Sequence, residues 1–283
     1  MSGLANWVIQ SRRNAIIAVA GFSLIPMMFW LAAAVLGLVV LRKGLQEGIP
    51  VLAWGSLPAI ALWYAQGDAT ALLVLINTAV LAQVLREKVS WSWVLFSASI
   101  LACGLSFIQP LLMSDVLELI SELIVRLLEG EADVSLPTKE AIIVQAIIAL
   151  SVLQTYIAVA ALLLSRRWQA RLFNPGGLRQ EFLSLRLSLA MALGLGAMVL
   201  VGESADGALE ILARASAPAL VIAGLAVVHG VLAKTNFGMI GLVGVYLLGV
   251  FALGSLFTNI LIAIAIIDSF VDIRKRLFRS ESV

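Results

Sequence analysis

"FGMIGLVGVYLLGVFALGSLFTNILIAIAII", residues 237–267, carries no charged side chain over its whole length. A helix rises about 1.5 Å per residue and needs roughly 20 apolar residues to cross a bilayer core of about 30 Å, so this run exceeds one crossing. Seven further uncharged runs precede it, at 15–41, 48–67, 69–85, 89–114, 141–165, 187–202 and 215–233. Little chain remains between them. Lipid offers no partner to exposed backbone amides, and the runs lack the polar alternation of barrel strands, so they read as helices. The expected fold is an all-α membrane protein, a polytopic helical bundle of about 8–10 membrane segments. Composition agrees: 61% of the 283 residues are hydrophobic, 13% are charged and mean hydropathy is +1.05.

The first and last runs are too long for single spans and each contains a break. Pro26 interrupts 15–41, and Gly249, Gly254 and Ser255 loosen 237–267. Folding both back as hairpins puts Arg12, Arg13, Arg42, Lys43, Arg86, Lys88, Arg166, Arg167, Arg171, Arg179, Arg186, Lys234, Arg274, Lys275, Arg276 and Arg279 on one side. Only Arg126, Lys139 and Arg214 then face the other. Single crossings divide the cations almost evenly. Because Lys and Arg favour the cytoplasmic side, the hairpins are preferred, with both termini cytoplasmic in a bacterial inner membrane. Halving the first run leaves segments of about 20 Å, so broken or re-entrant segments are expected near both termini. "SRRNAII" at 11–17 reads as the start of an uncleaved first segment rather than a leader.

Residues 1–283 form one integral membrane domain in this reading, and two connections are long enough to carry a task. Residues 114–129 predict an outer amphipathic interfacial helix, with Ser114 as its N-cap, Gly130 as its stop, and Glu118, Glu122, Arg126 and Glu129 on the polar face. Acids at 115, 118, 122, 129, 131 and 133, and at 203, 206 and 210, fall on the same outer side. Residues 165–186 read as a cytoplasmic basic and aromatic loop, turning at Asn174-Pro175-Gly176-Gly177. Arg166, Arg167, Arg171, Asn174 and Arg179 in it suit either a lipid headgroup, a phosphorylated ligand or a cytoplasmic partner.

Polar residues at mid-membrane depth are costly and therefore mark candidate sites. Asn77, Gln154 and Asn259, with Tyr156 and Tyr246, are candidates to line a ligand cavity; interhelical hydrogen bonding is the alternative. His229, the sole histidine, lies near the inner end of its span without a matching acid and suits a structural role. Small residues at a spacing of four, Ala190 with Gly194, Ala192 with Gly196, and Ala215, Ala219 and Ala223, allow close helix approach within the chain or to a partner. One His and one Cys, Cys103, build neither a zinc site nor a Cys-His pair, and no Gly-x-x-x-x-Gly-Lys-Ser/Thr loop is present. No enzyme activity, metal, cofactor or nucleic-acid partner is expected.

"LRKGLQEG" at 41–48, "RRWQARLFNPGGLRQEF" at 166–182 and "IIDSFVDIRKRL" at 266–277 together resemble the YybS-like family of bacterial membrane proteins. That family is distantly similar in fold to the substrate-capture subunits of energy-coupling-factor transporters and to the cell-shape protein MreD. The first relation implies solute recognition, the second envelope scaffolding. Capture subunits carry an Ala-xxx-Ala stripe in the first membrane helix, where this chain offers Ala33 and Gly37. The resulting expectation is a small-solute recognition or transport subunit that relies on a separate membrane or ATPase subunit, beside the lipid bilayer and a small-molecule ligand. The alternative is a non-catalytic scaffold of an envelope or membrane-protein assembly.

Overall fold

The computed structural model describes residues 2–128, 137–202, 206–235 and 238–277. Gly130, the acids at 129, 131, 133 and 203, and Arg279 lie outside the described residues. Within them the chain is an all-helical polytopic membrane bundle without strands. Four helices are long and apolar enough to cross a membrane: α6 (Thr70–Lys88), α7 (Trp91–Leu112), α9 (Lys139–Phe173) and α12 (Ala208–Leu232).

Both terminal runs are broken where the sequence weakens them. The first divides into α2 (Arg12–Leu24) and α3 (Phe29–Lys43) around Pro26, with Met27 at φ 62°. Each half is about 20 Å long by helix rise. The last divides into α13 (Gly238–Leu247), a π-helical stretch Leu248–Leu253, and α14 (Ser255–Val271), breaking at Gly254 with φ 53°. Run 48–67, read as one span, is instead α4 (Leu45–Gly55) and α5 (Leu57–Gln66), bent by 42°. Pro58 has no N–H to donate to the carbonyl of Trp54, so the helix opens at Ser56. An additional short helix, α1 (Ser2–Gln10), buries Ala5 and Val8 against the core.

At the centre stands α3, where every residue from Ala32 to Leu41 is buried. Three successive alanines and Gly37 make it thin enough to be enclosed by α2, α6 and α9. A Cβ at Gly37 would meet Ser165 Oγ, and that hydroxyl instead donates to the Ala34 carbonyl at 2.7 Å. The second half packs α12 against α7, α14 and α11 (Leu189–Gly202). Ala215, Ala219 and Ala223 are buried there, so this stripe serves packing within the chain, and Ala219→Leu would disturb the core rather than release a partner. Of the α11 stripes, Ala192 and Gly196 face inward while Ala190 and Gly194 are exposed.

The segment 114–128 is the helix α8 (Ser114–Leu128), burying Leu117 and Ser121. Ser114 is its first helical residue rather than its cap: the Leu117 N–H donates to the Met113 carbonyl at 3.0 Å. The basic segment 165–186 departs from an extended loop. Thr138 caps α9, which continues unbroken for 35 residues, about 52 Å, so its last turns project beyond a 30 Å core. After the turn at Asn174–Gly176 the chain folds back as α10 (Gly177–Leu183), and α15 (Ile273–Leu277) closes the described chain.

Hydrogen bonds sort the two ends of the bundle by charge. At one end Arg12 pairs with Glu47, Arg86 donates to the Leu41 carbonyl, Arg166 pairs with Glu181, and Arg274 donates to the Leu183 carbonyl. At the other, Lys139 pairs with Glu118 and Gln145 donates to Glu210. Residues flanking the first run thus meet at one end, as do those flanking the last, since Lys234, Arg274 and Lys275 line one depression. Both runs go out and return.

Candidate functional site

Helix α9 carries one stripe that changes character along its length. Ala160, Leu163 and Leu164 are followed at helical spacing by Arg167 and Arg171, all on one face. Opposite stand Arg179 and Phe182 of α10, His229 of α12, and Met239 and Leu242 of α13. Together they enclose a groove of about 860 Å³ at the basic end, within the size range of ligand sites.

The α9 and α10 arginines beside the groove differ in their partners. Arg166 grips Glu181 with two donors, Nε to Oε2 at 3.0 Å and Nη2 to Oε1, while Trp91 Nε1 donates to the same carboxylate at 3.1 Å. Arg166 therefore ties α10 to α9 and α7, and Asn174 lies against Gly177 in the turn beside it. Arg167, Arg171 and Arg179 line the groove, and none makes an ion pair among the described residues. Like charges four residues apart on a helix repel, so Arg167 and Arg171 together favour an anion between them.

His229 forms part of the wall. Its Nε2 lies 2.7 Å from the Tyr246 hydroxyl and its ring meets Phe182 edge to face at 5.7 Å. The tie holds α13, which has no buried residue of its own, against α12. Leu183 and Ala233 separate the groove from a second depression of about 690 Å³, bordered by Arg179, Arg186, Lys234, Arg274 and Lys275 with Asp272. Burial pushes the Asp272 carboxyl up, but hydrogen bonds from Lys275 and the charges of Arg186 and Lys275 outweigh it and hold the group below its usual range. The basic end stays positive around it.

The mid-membrane amides do not converge on a cavity. Asn259 is exposed on the outer face of α14, Asn77 is buried on α6, and Tyr156 packs partly buried against the main core. Tyr246 reaches the groove only through His229. Gln154 is fully buried, accepting from Gln109 Nε2 at 3.0 Å and donating to Thr70 Oγ1 at 3.2 Å. One turn away the Ser106 and Ser151 hydroxyls meet at 2.7 Å. This is interhelical hydrogen bonding between α6, α7 and α9. Gln154 is its centre, and the sequence reading passed over its partner Gln109, whose spacing of three from Ser106 was the available signal.

Replacing Gln154 by alanine opens a cavity and strips Gln109 of its acceptor. The expected cost is about 2 kcal/mol, of which the Gln109–Gln154 coupling itself supplies about 0.6 kcal/mol. A double-mutant cycle on thermal unfolding in detergent checks this; zero coupling would disprove the pairing.

Among the described residues no three of His, Cys, Asp and Glu converge where a metal would sit. The chain matches no protein-family model, no curated protein and no solved structure.

Proposed function

We infer that this chain is a membrane-embedded recognition subunit for a small anionic molecule, bound in the groove between α9, α10, α12 and α13. The carrying observation is that three arginines converge on one apolar-walled groove and, among the described residues, none of them has a carboxylate partner, whereas Arg12, Arg166, Arg186 and Arg274 each have one. A guanidinium without a counter-charge beside an apolar wall offers charge-assisted hydrogen bonds to phosphate or carboxylate. Lacking a phosphate-binding loop for nucleotide hydrolysis, such a subunit would act with a separate energised partner or hand its ligand on, without chemistry of its own.

The positive-inside bias supports a cytoplasmic basic end, and a bacterial inner membrane with both termini in the cytoplasm is part of the same proposal. Kinship with the YybS-like family belongs to the same proposal. The three segments carrying that resemblance, 41–48, 166–182 and 266–277, come together at this end: Gln169 donates to the Leu41 carbonyl, and Arg179 and Gln180 border one depression with Arg274 and Lys275.

Thermal unfolding of the detergent-purified chain in rising inorganic phosphate, citrate and chloride tests the anion site. Multivalent anions should raise the midpoint by several degrees beyond matched ionic strength. The triple substitution Arg167→Gln, Arg171→Gln, Arg179→Gln should abolish the increment while leaving the ligand-free midpoint within about 2 °C, because these exposed side chains make no ion pair among the described residues. Equal response of both proteins would rule the site out.

A further inference from the structure

The groove is built along its length for two chemistries, and this narrows the reading of it as an anion site. On α9 the stripe spans Ala160 to Arg171, about 16 Å by helix rise. The α9 half of the lining farther from the basic end is Ala160, Leu163 and Leu164, and Met239 and Leu242 add to the apolar wall; the mouth holds Arg167, Arg171 and Arg179. A free phosphate would use only the mouth, leaving a wide apolar floor open to water. An unfilled apolar floor is unfavourable, whereas a hydrocarbon chain there would be in its own medium.

The groove also has a thin side. Helix α13 buries none of its residues, and Met239, Ile240, Val243 and Leu247 are exposed along it. In a membrane this wall stands between the groove and lipid. Apart from the three arginines, the polar side chain in the lining is His229, whose Nε2 lies 2.7 Å from the Tyr246 hydroxyl. No charged side chain lines the deep half.

We propose that the occupant is a phosphate-bearing lipid, its chain lying along Ala160–Leu164 and its phosphate held by Arg167, Arg171 and Arg179. The arginines set the preference for a dianionic phosphate monoester over a zwitterionic headgroup, and the floor sets the preference for a chain over a soluble anion. Arg179 also borders the second basic depression, so a head larger than one phosphate can extend toward Lys275.

Calorimetric titration of the full chain in a neutral maltoside micelle tests this with dihexanoyl phosphatidic acid, dihexanoyl phosphatidylcholine and inorganic phosphate. Phosphatidic acid should bind at least tenfold more tightly than either of the others. Ala160→Trp, at an exposed groove position, should weaken phosphatidic acid at least tenfold and leave inorganic phosphate unchanged. Arg167→Gln with Arg171→Gln should weaken both. Inorganic phosphate binding as tightly as phosphatidic acid, indifferent to Ala160→Trp, would overturn the lipid and leave the anion site standing. Equal binding of the two lipids, unaffected by the arginine substitutions, or no binding by any probe, would overturn both.

Discussion

Replacing Arg274 with methionine should destabilise the protein by about 3–5 kcal/mol, the cost of removing one partner from a buried ion pair. Arg274 is 8% exposed and Asp268 1%. Nη2 donates to Asp268 Oδ2 at 2.9 Å and to the Leu185 carbonyl at 2.8 Å, and Nη1 donates to the Leu183 carbonyl at 2.7 Å. Without it the Asp268 carboxylate keeps the Ile273 N–H, at 2.9 Å, and the carbonyls of Leu183, at the end of α10, and of Leu185 just after it lose this donor. A loss of this size is a large part of a typical folding free energy. The effect reaches the groove as well, since Leu183 lies on its wall and Arg274 fixes the segment that carries it.

The double variant Asp268→Leu, Arg274→Met separates charge from geometry. Removing both charges should recover most of the penalty and leave a deficit of about 2 kcal/mol for the orphaned carbonyls. Unfolding midpoints in detergent, followed by fluorescence-detected size exclusion, check both. An Arg274→Met protein as stable as the wild type would show that the pair is not buried in the membrane-bound state.

The second large effect is expected at Gly224 of α12. A Cβ there would stand against the backbone carbonyl oxygen of Leu261 in α14, closer than van der Waals contact, and 2.8 Å from the carbonyl carbon. Backbone cannot rotate aside as a flexible side chain would, so α12 and α14 must separate. Overpacking costs typically 1–3 kcal/mol; Gly224→Ala should fall at the upper end of that range, and Gly224→Leu should exceed it. Gly194 of α11 is the control: nothing lies within 4 Å of its Cβ position. Gly194→Ala should be neutral or stabilising by about 0.5–1 kcal/mol, because alanine restricts the unfolded chain and suits a helix. Equal unfolding midpoints for Gly194→Ala and Gly224→Ala would refute the close approach of the two helices.

Much of the architecture was legible because membrane helices obey local rules. Run length and charge gave the spans, and the distribution of cations gave two returning hairpins, since Lys and Arg cannot be left in hydrocarbon without a partner. Pro26 and Gly254 marked both breaks through backbone chemistry alone. The bend at Ser56 was written in Pro58 as well, yet 48–67 has the length of one ordinary span and so gave no reason to divide it.

The candidate site was legible only in part. Arg167, Arg171 and Arg179 were singled out as basic residues at a membrane edge, but so was Arg166, and sequence held nothing to distinguish a guanidinium facing a groove from one gripping Glu181. The amides show the same boundary more sharply. Gln154, Asn77 and Asn259 lie at similar depth in their runs, and depth is a one-dimensional quantity that periodicity can supply. Which way each faces depends on which helices stand beside it. Gln154 faces α7 and is sealed by Gln109, while Asn259 sits on a peripheral helix and looks outward. The sequence by itself determined the apolar solvent, the helical class, the breaks in the first and last runs and the charged end, because those follow from local hydrophobicity and backbone geometry. Tertiary packing decided which arginines are paired among the described residues, since an ion pair joins residues that only the folded arrangement of α9, α10, α14 and α15 brings within about 3 Å of their partners.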